Sequence, residues 1–396
     1  MSTSRSTHRT QVAIIGGGPA GLLLSQLLYQ RGIDSIVIER RSREYVLQRI
    51  RAGVLENGTV ELARVAGAGE RLKRQGLVHQ GITLAHQGKA LRVDFEACTG
   101  ASVTVYGQTE LTHDLYAALD RTGTRLFDNV GDVQLHDVET VTPSVEFTYA
   151  GQPQRIACDI VAGCDGFHGI CRQSIDPSVR REFERIYPFG WLGVLTERPP
   201  VSEELIYAGH DRGFALCSMR NPNLSRYYVQ VDADDSVDAW SDDRFWDELR
   251  QRIPADTAES LATGPSIEKS IAPLRSFVCE PMQWGRLYLC GDAAHIVPPT
   301  GAKGLNLAAS DVYYLWNALI DHYRDGDSRA LDAYSHTALA RVWKAERFSW
   351  WMTHLLHRYP DQSPFDRRLQ RAEFDYLAGS LAAQSVLAEN YTGLPY

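Results

Sequence analysis

Residues 291–306 read Gly-Asp-Ala-Ala-His-Ile-Val-Pro-Pro-Thr-Gly-Ala-Lys-Gly-Leu-Asn, an order suited to gripping a ligand. Asp292 follows the apolar run Leu287–Cys290, which reads as a buried strand, so its carboxylate stands at a strand end where it can hold a polyol hydroxyl. Pro298-Pro299 stiffen the turn. The small residues beyond it let backbone N–H groups approach an anionic or electron-rich ring before a helix starts near Leu305. A second segment, Gly16-Gly17-Gly18-Pro19-Ala20-Gly21, has the G-x-G-x-x-G spacing. In such a loop Gly16 permits the tight turn, Gly18 lets a pyrophosphate reach the backbone, and Gly21 lets helix and strand pack closely. Glu39, at the end of a second strand, can accept both hydroxyls of a ribose.

The flanking pattern separates this glycine cluster from an ordinary turn. An apolar strand (Gln11–Ile15) precedes it, and a helix (Ala20–Arg31) with Leu22, Leu23, Leu27 and Leu28 on its apolar face follows, then a strand at Ser35–Ile38. The unit predicts dinucleotide binding. A third strand and turn, Asp159–Gly166, ends in Asp165-Gly166, which taken alone is a plain turn. Strand-rich stretches fall around 79–107, 130–162 and 186–232, a helix capped by Ser241 or Asp242 runs to Arg252, and the last hundred residues are mostly helical. The expected fold class is α/β. A discontinuous Rossmann-type domain (1–180) precedes a β-sheet substrate domain (181–290), and the second ligand loop leads a helical region (291–396).

A chain of 396 residues is long for one core, and 44% hydrophobic with 23% charged residues is ordinary globular composition. The formal charge of −8 argues against nucleic acid as a principal partner. Seven cysteines form no CxxC pair and no metal-like cluster, so no metal is expected and reduced thiols in a cytoplasmic protein fit best. Met1–Thr10 has no apolar stretch and reads as a disordered tail rather than a secretory signal, and no run reaches membrane-span length.

The order glycine fingerprint, Asp-Gly, then Gly-Asp with a following proline resembles that of the aromatic-hydroxylating flavoprotein monooxygenases. So do the stretches Arg49–Glu56, Val105–Glu110, Tyr187–Trp191 and Ile271–Phe277. The resemblance covers almost the whole chain and makes the dinucleotide FAD. It implies that Gly16, Gly18, Gly21, Glu39, Arg51, Gln108 and Asp292 hold the flavin, with the backbone at Leu305 and Asn306 against the pyrimidine edge of its ring. The reaction implied is hydroxylation of 4-hydroxybenzoate at the 3-position by NADPH and O2, through a flavin C4a-hydroperoxide.

In the substrate site, Ser218, Arg220 and Tyr228 resemble the family's carboxylate clamp; Ser218 and Arg220 are two apart in a strand and so share a face. Without the resemblance, Arg220 reads as a surface residue on a polar strand face. Met219 between them is expected on the opposite face. The resemblance also implies a relay in which Tyr207 takes the phenol's hydrogen bond and passes the proton to Tyr391 and then to His79 near the surface. Pro299 would hold the substrate hydroxyl by its carbonyl, and Val54, Trp191, Leu205 and Leu216 would keep water out.

Only one glycine fingerprint is present, so the nicotinamide cofactor has no Rossmann domain of its own. The resemblance suggests Arg49, Arg51, His168 and Arg275 as its contacts, with Arg40, Arg41, Arg43 and Tyr45 near a 2′-phosphate, which favours NADPH while leaving NADH open. The apolar stripe of Val342–His357 fits either core or a homodimer interface, and His295 reads as structural. Two other readings stay open: a related hydroxylase of another phenolic acid, and a non-catalytic flavin-binding module.

Overall fold

The computed structural model describes residues 6–48 and 53–396. Five parallel strands, in the order Leu287–Leu289, Ile160–Gly163, Val12–Ile15, Ser35–Ile38 and Arg125–Phe127, form one sheet with Gln283–Trp284 as an antiparallel edge. The central strand is buried on both faces, which is why Val-Ala-Ile-Ile is apolar throughout instead of alternating. The helix Pro19–Tyr29 starts with proline at its first position and covers this sheet with Leu22, Leu23, Leu24, Leu27 and Leu28. The ligand-facing ends of three of these strands, at Gly16, Cys164 and Gly291, come side by side, as open parallel sheets require.

A second sheet of eight strands runs His295–Ile296, Glu268–Glu280, Arg181–Thr196, Leu224–Asp232, Ala215–Asn221, Ile206–Gly209, Gly81–His86 and Lys89–Asp94. The sheets therefore do not divide at residues 180 and 290. The strands Gly81–His86 and Lys89–Asp94 join the eight-stranded sheet, and Leu287–Leu289 joins the six-stranded sheet. The helix Asp242–Arg252 is capped by Ser241, whose side chain accepts the Arg244 amide. The expected tail is corrected in part. Ser6–Arg9 is an edge strand paired in parallel with Gln154–Ala157, whereas residues 1–5 lie outside the described residues.

The helix Tyr334–Leu356 packs on Glu268–Glu280 and Ile206–Gly209 of the eight-stranded sheet and on the helix Gly304–Asp325, which in turn packs on Pro19–Tyr29. The Val342–His357 stripe serves two surroundings: Val342, Phe348, Met352, Leu355 and Leu356 are buried, while Trp343 and Trp350 remain about two-fifths exposed, at 42% and 40%. No helix among the described residues is long and apolar enough to cross a membrane.

Candidate active site

Two hollows meet at the 291–306 loop. The first, of about 270 Å³, runs past Gly18, Glu39, Asp165 and Asp292 to the start of the helix Gly304–Asp325. The second, of about 330 Å³, lies between that helix start and the inner face of the eight-stranded sheet. They share Gln108, Asp292, Gly304 and Leu305, so a long ligand in the first would form a wall of the second.

The groove is built for a ligand's backbone contacts. Gly16 has φ +114°, and a Cβ there would stand 2.2 Å from the Cys164 carbonyl; at Gly21 it would stand 1.9 Å from the Gly16 carbonyl. Gly18 differs, because a Cβ on it meets nothing within 4 Å among the described residues. The helix behind it has no side-chain cap and no acid in its first turn, so its amide ends remain available to an anion. Glu39 accepts the amides of Gly17 and Arg41, each at 2.7 Å, which fixes its carboxylate at the groove wall. Asp165 accepts the Cys171 amide at 2.9 Å through one oxygen, while the other is buried without a partner among the described residues. Burial raises its pKa.

The cavity brings together Val54, Trp191, Leu205, Tyr207, Leu216, Ser218, Arg220, Tyr228 and Pro299. At one end, the Arg220 guanidinium lies 3.5 Å from the Tyr228 hydroxyl and donates to the Met219 carbonyl at 2.9 Å. It has no carboxylate partner among the described residues, its Nε is buried and unsatisfied, and burial lowers its pKa. A cation in that setting is short of an anion. At the other end, the hydroxyls of Tyr207 and Tyr391 are 2.6 Å apart and fully enclosed. Burial pushes the Tyr207 phenol up to about 12, so it stays protonated at working pH.

The FAD binding domain family matches residues 9–349. The chain belongs to the FAD-binding domain family. It is 57% identical to the p-hydroxybenzoate hydroxylase of Acinetobacter baylyi over 98% of its own length and 96% of that protein's. It is 24% identical to a 3-(3-hydroxy-phenyl)propionate/3-hydroxycinnamic acid hydroxylase of Burkholderia cenocepacia, over 78% of this chain and 56% of the other. In fold it is similar to p-nitrophenol 4-monooxygenase of Pseudomonas putida DLL-E4, with a TM-score of 0.81, 18% identity, and coverage of 99% and 100%.

FAD fits the residues present. Open space at Gly18 and the uncapped helix suit its pyrophosphate. The acceptors on Glu39, Asp165 and Asp292 suit the hydroxyls of its ribose and ribityl chain. The helix Gly304–Asp325 also lacks a side-chain cap and a first-turn acid, which leaves its amide ends facing the shared wall.

Several expected positions are corrected. Met219 lines the cavity beside Ser218 and Arg220, because the strand register shifts between Met219 and Asn221 and alternation fails there. Ser218 donates its proton to the Arg226 carbonyl at 2.7 Å, so it faces the cavity with the hydroxyl already committed. Pro299 is in place, but its carbonyl already accepts the Ala302 amide at 3.0 Å and has one lone pair left. His79 is buried, not near the surface; among the described residues both ring nitrogens lack partners, and it has no hydrogen bond to Tyr391. The backbone of Asn306 stands in the first turn of the helix Gly304–Asp325, while its side chain is turned away to other partners. It ties the Glu56 amide and the carbonyls of Val54 and Ala302 together.

Around the cofactor rim, Arg40 and Tyr45 line the groove beside Glu39, while Arg43 is taken up by Asp120 at 3.0 and 2.8 Å. His168 and Arg275 both pack on Phe167, at 5.0 and 4.7 Å, and Arg275 also pairs with Glu184 at 3.2 Å. Arg49 and Arg51 lie outside the described residues. His295 is structural: it is buried 2.6 Å from Asp311, which also accepts the Gly291 amide at 2.8 Å and so pins the ligand loop.

One group escaped the sequence reading. Lys303 lines the cavity, and its buried ammonium donates to Glu56 at 2.7 Å and to the Tyr391 carbonyl at 2.9 Å. Arg341 donates to the other Glu56 oxygen at 2.9 Å. Removing one member of such a buried set leaves an uncompensated charge, a cost of about 3–5 kcal/mol. Lys303, the one lysine in a loop whose only acid is Asp292, was the available signal.

Proposed function

We propose that the chain is an FAD-dependent monooxygenase that converts 4-hydroxybenzoate to 3,4-dihydroxybenzoate with NADPH and O2. The observation that carries this reading is the polarity of the cavity, with an anion-deficient Arg220 at one end and a buried tyrosine pair at the other. A flat ring bearing a carboxylate and a para hydroxyl has the matching ends. The relative at 57% identity, whose name is that of a p-hydroxybenzoate hydroxylase, supports the same substrate.

Bound FAD supplies the oxygen-activating redox chemistry. The protein's part is to bind, orient, shield and move a proton. Arg220 takes the carboxylate through its guanidinium fork, with Tyr228 beside it and Ser218 once its hydroxyl turns from Arg226. Tyr207 accepts the substrate's phenolic hydrogen bond and hands its own proton to Tyr391. Because burial keeps both tyrosines neutral, the proton moves along the pair and no tyrosinate accumulates. The remaining lone pair of Pro299 offers a second acceptor to the substrate hydroxyl, whose single proton goes either to Tyr207 or to Pro299. Onward transfer from Tyr391 to His79 needs a bridging group that protein atoms do not supply, and burial keeps the His79 imidazole neutral and able to accept. A partly freed phenolate makes the ring electron-rich at the carbon to be hydroxylated. Val54, Trp191, Leu205 and Leu216 close the site to water.

NADPH is assigned to the rim, with Arg40 and Tyr45 by the groove, His168 and Arg275 around Phe167, and Arg49 nearby in sequence. The chain is read as a homodimer in the cytoplasm. Exposed Trp350 and Leu369, which line a groove of mixed polarity of about 760 Å³, together with exposed Trp343 and Phe365, support a second copy as partner. Seven cysteines without disulfides suit a reducing compartment.

The test follows NADPH oxidation by the FAD-loaded protein with and without 4-hydroxybenzoate, and identifies the product by chromatography. Strong stimulation with one 3,4-dihydroxybenzoate per NADPH is expected. Stimulation that yields hydrogen peroxide without catechol would make the ligand an effector and shift the substrate to another phenolic acid. No stimulation would leave a flavin-binding module.

A further inference from the structure

One turn at the end of the helix Tyr334–Leu356 reaches the cavity from behind at two points. Thr353 is fully buried, and its hydroxyl donates to the Ser349 carbonyl at 2.7 Å. It lies 2.9 Å from the hydroxyl of Thr300, the residue after Pro299. The single Thr353 proton is spent on Ser349, so Thr300 is the donor in that contact. Four residues on, the fully buried His357 accepts the indole N–H of Trp191 at 2.7 Å through Nε2. An indole can only donate, which puts the imidazole proton on Nδ1, and Nδ1 donates to the Thr353 carbonyl at 3.0 Å. Phe214 and Phe189 stack on the ring at 4.4 and 4.8 Å. Burial holds His357 down at about 3, so this arrangement persists at every working pH.

Trp191 and Pro299 both line the cavity but arrive on separate parts of the chain, one from the long strand Arg181–Thr196 and one from the ligand loop. We propose that Thr353 and His357 are positioning residues, which together fix the distance between the Trp191 wall and the Pro299–Thr300 turn across the substrate. Neither touches the ring. They act through Trp191, whose indole lies 5.3 Å from Tyr228 of the clamp, and through Thr300, which carries the Pro299 carbonyl. A fixed gap matters because a loosened wall would let the ring tilt and water enter.

The inference rests on the cavity being the 4-hydroxybenzoate site, and the experiment separates the two claims. Thr353→Val and Thr300→Val remove the same hydrogen bond from opposite sides, whereas Thr353→Ser keeps the hydroxyl. His357→Leu removes the acceptor and His357→Gln can restore one. In FAD-loaded full-length protein, 4-hydroxybenzoate binding is read from the perturbation of flavin absorbance, and the ratio of 3,4-dihydroxybenzoate to peroxide is measured per NADPH. Hydrogen exchange of the Trp191 indole N–H is followed by NMR, assigned by its absence in Trp191→Phe. Thr353→Val, Thr300→Val and His357→Leu should each weaken binding about fivefold, the scale of one lost hydrogen bond, and divert turnover to peroxide. Thr353→Ser and His357→Gln should return both readouts to within about twofold of the parent, and the indole N–H should exchange fast only with leucine at 357. Lower melting temperatures with binding and product ratio unchanged would reduce both residues to packing and overturn the proposal. If the parent protein neither binds nor hydroxylates 4-hydroxybenzoate, the substrate reading fails by itself. The positioning claim then stands or falls on whether His357→Leu releases the indole N–H.

Discussion

In the dinucleotide groove the ligand-facing material is mostly backbone: the open flank of Gly18, two uncapped helix starts, and carboxylates already fixed by amides of the chain. In the substrate cavity it is side chains, gathered from the strands Arg181–Thr196, Ile206–Gly209, Ala215–Asn221 and Leu224–Asp232 and from the ligand loop. A backbone surface tolerates few changes and recognises a ligand common to many proteins. A side-chain surface can be altered one residue at a time, so on the proposed reading selectivity for the ring resides there. The two meet at Gln108, Asp292, Gly304 and Leu305.

Glycine substitutions should break this contrast most severely. Gly21→Ala forces a Cβ against the Gly16 carbonyl and should cost at least about 3 kcal/mol of stability, with loss of FAD, checked by denaturant unfolding and by the flavin content of purified protein. Gly18→Ala meets no protein atom, so apoprotein stability should hold while FAD affinity drops about tenfold or more. Equal effects of the two substitutions would contradict a ligand at Gly18.

On the cavity side, Tyr207→Phe removes one hydroxyl of the enclosed pair. Hydroxylation measured by product formation should fall about 100-fold with FAD content unchanged, since proton transfer by a positioned group is worth roughly that much. Loss of flavin instead would mean that the two regions are not separable.

A smaller effect sharpens the picture of the buried frame behind the loop. Burial holds Glu346 up at about 7, against an ordinary value of 4.5, with Ser276 only partly offsetting it. Its neutral form is the one folding favours, so that contribution is complete below about 4.5 and is lost as pH rises through 7. Glu346→Gln should therefore gain in melting temperature over the parent between about pH 5 and pH 8, by roughly 2–4 °C at the upper end.

The contrast also explains what could be read in the sequence. Gly16 to Glu39 is one short stretch with fixed spacing, and both its strands and its helix stand where the pattern puts them. Asp292 was legible for the same reason, as an acid at the end of an apolar run. The cavity needed the resemblance, because Ser218, Tyr207 and Tyr391 have nothing local to distinguish them from core residues. Where tertiary structure decided, local rules failed. Alternation put Met219 on the wrong face because of the register shift, and His79 sits deep in the protein. The Glu56–Lys303–Arg341 set joins Glu56 to partners 247 and 285 positions away, so no local spacing could reveal the set, though Lys303 itself stood out in the loop.

The central claim, that Arg220 gives the cavity its preference for a ring carboxylate, is tested most directly by titrating FAD-loaded protein with 4-hydroxybenzoate and with its neutral amide. The same pair is then titrated into Arg220→Gln. The acid should bind the parent about 100-fold more tightly than the amide, and most of that preference should vanish in the variant. Equal binding of acid and amide to the parent, or a preference that survives in Arg220→Gln, would contradict the account.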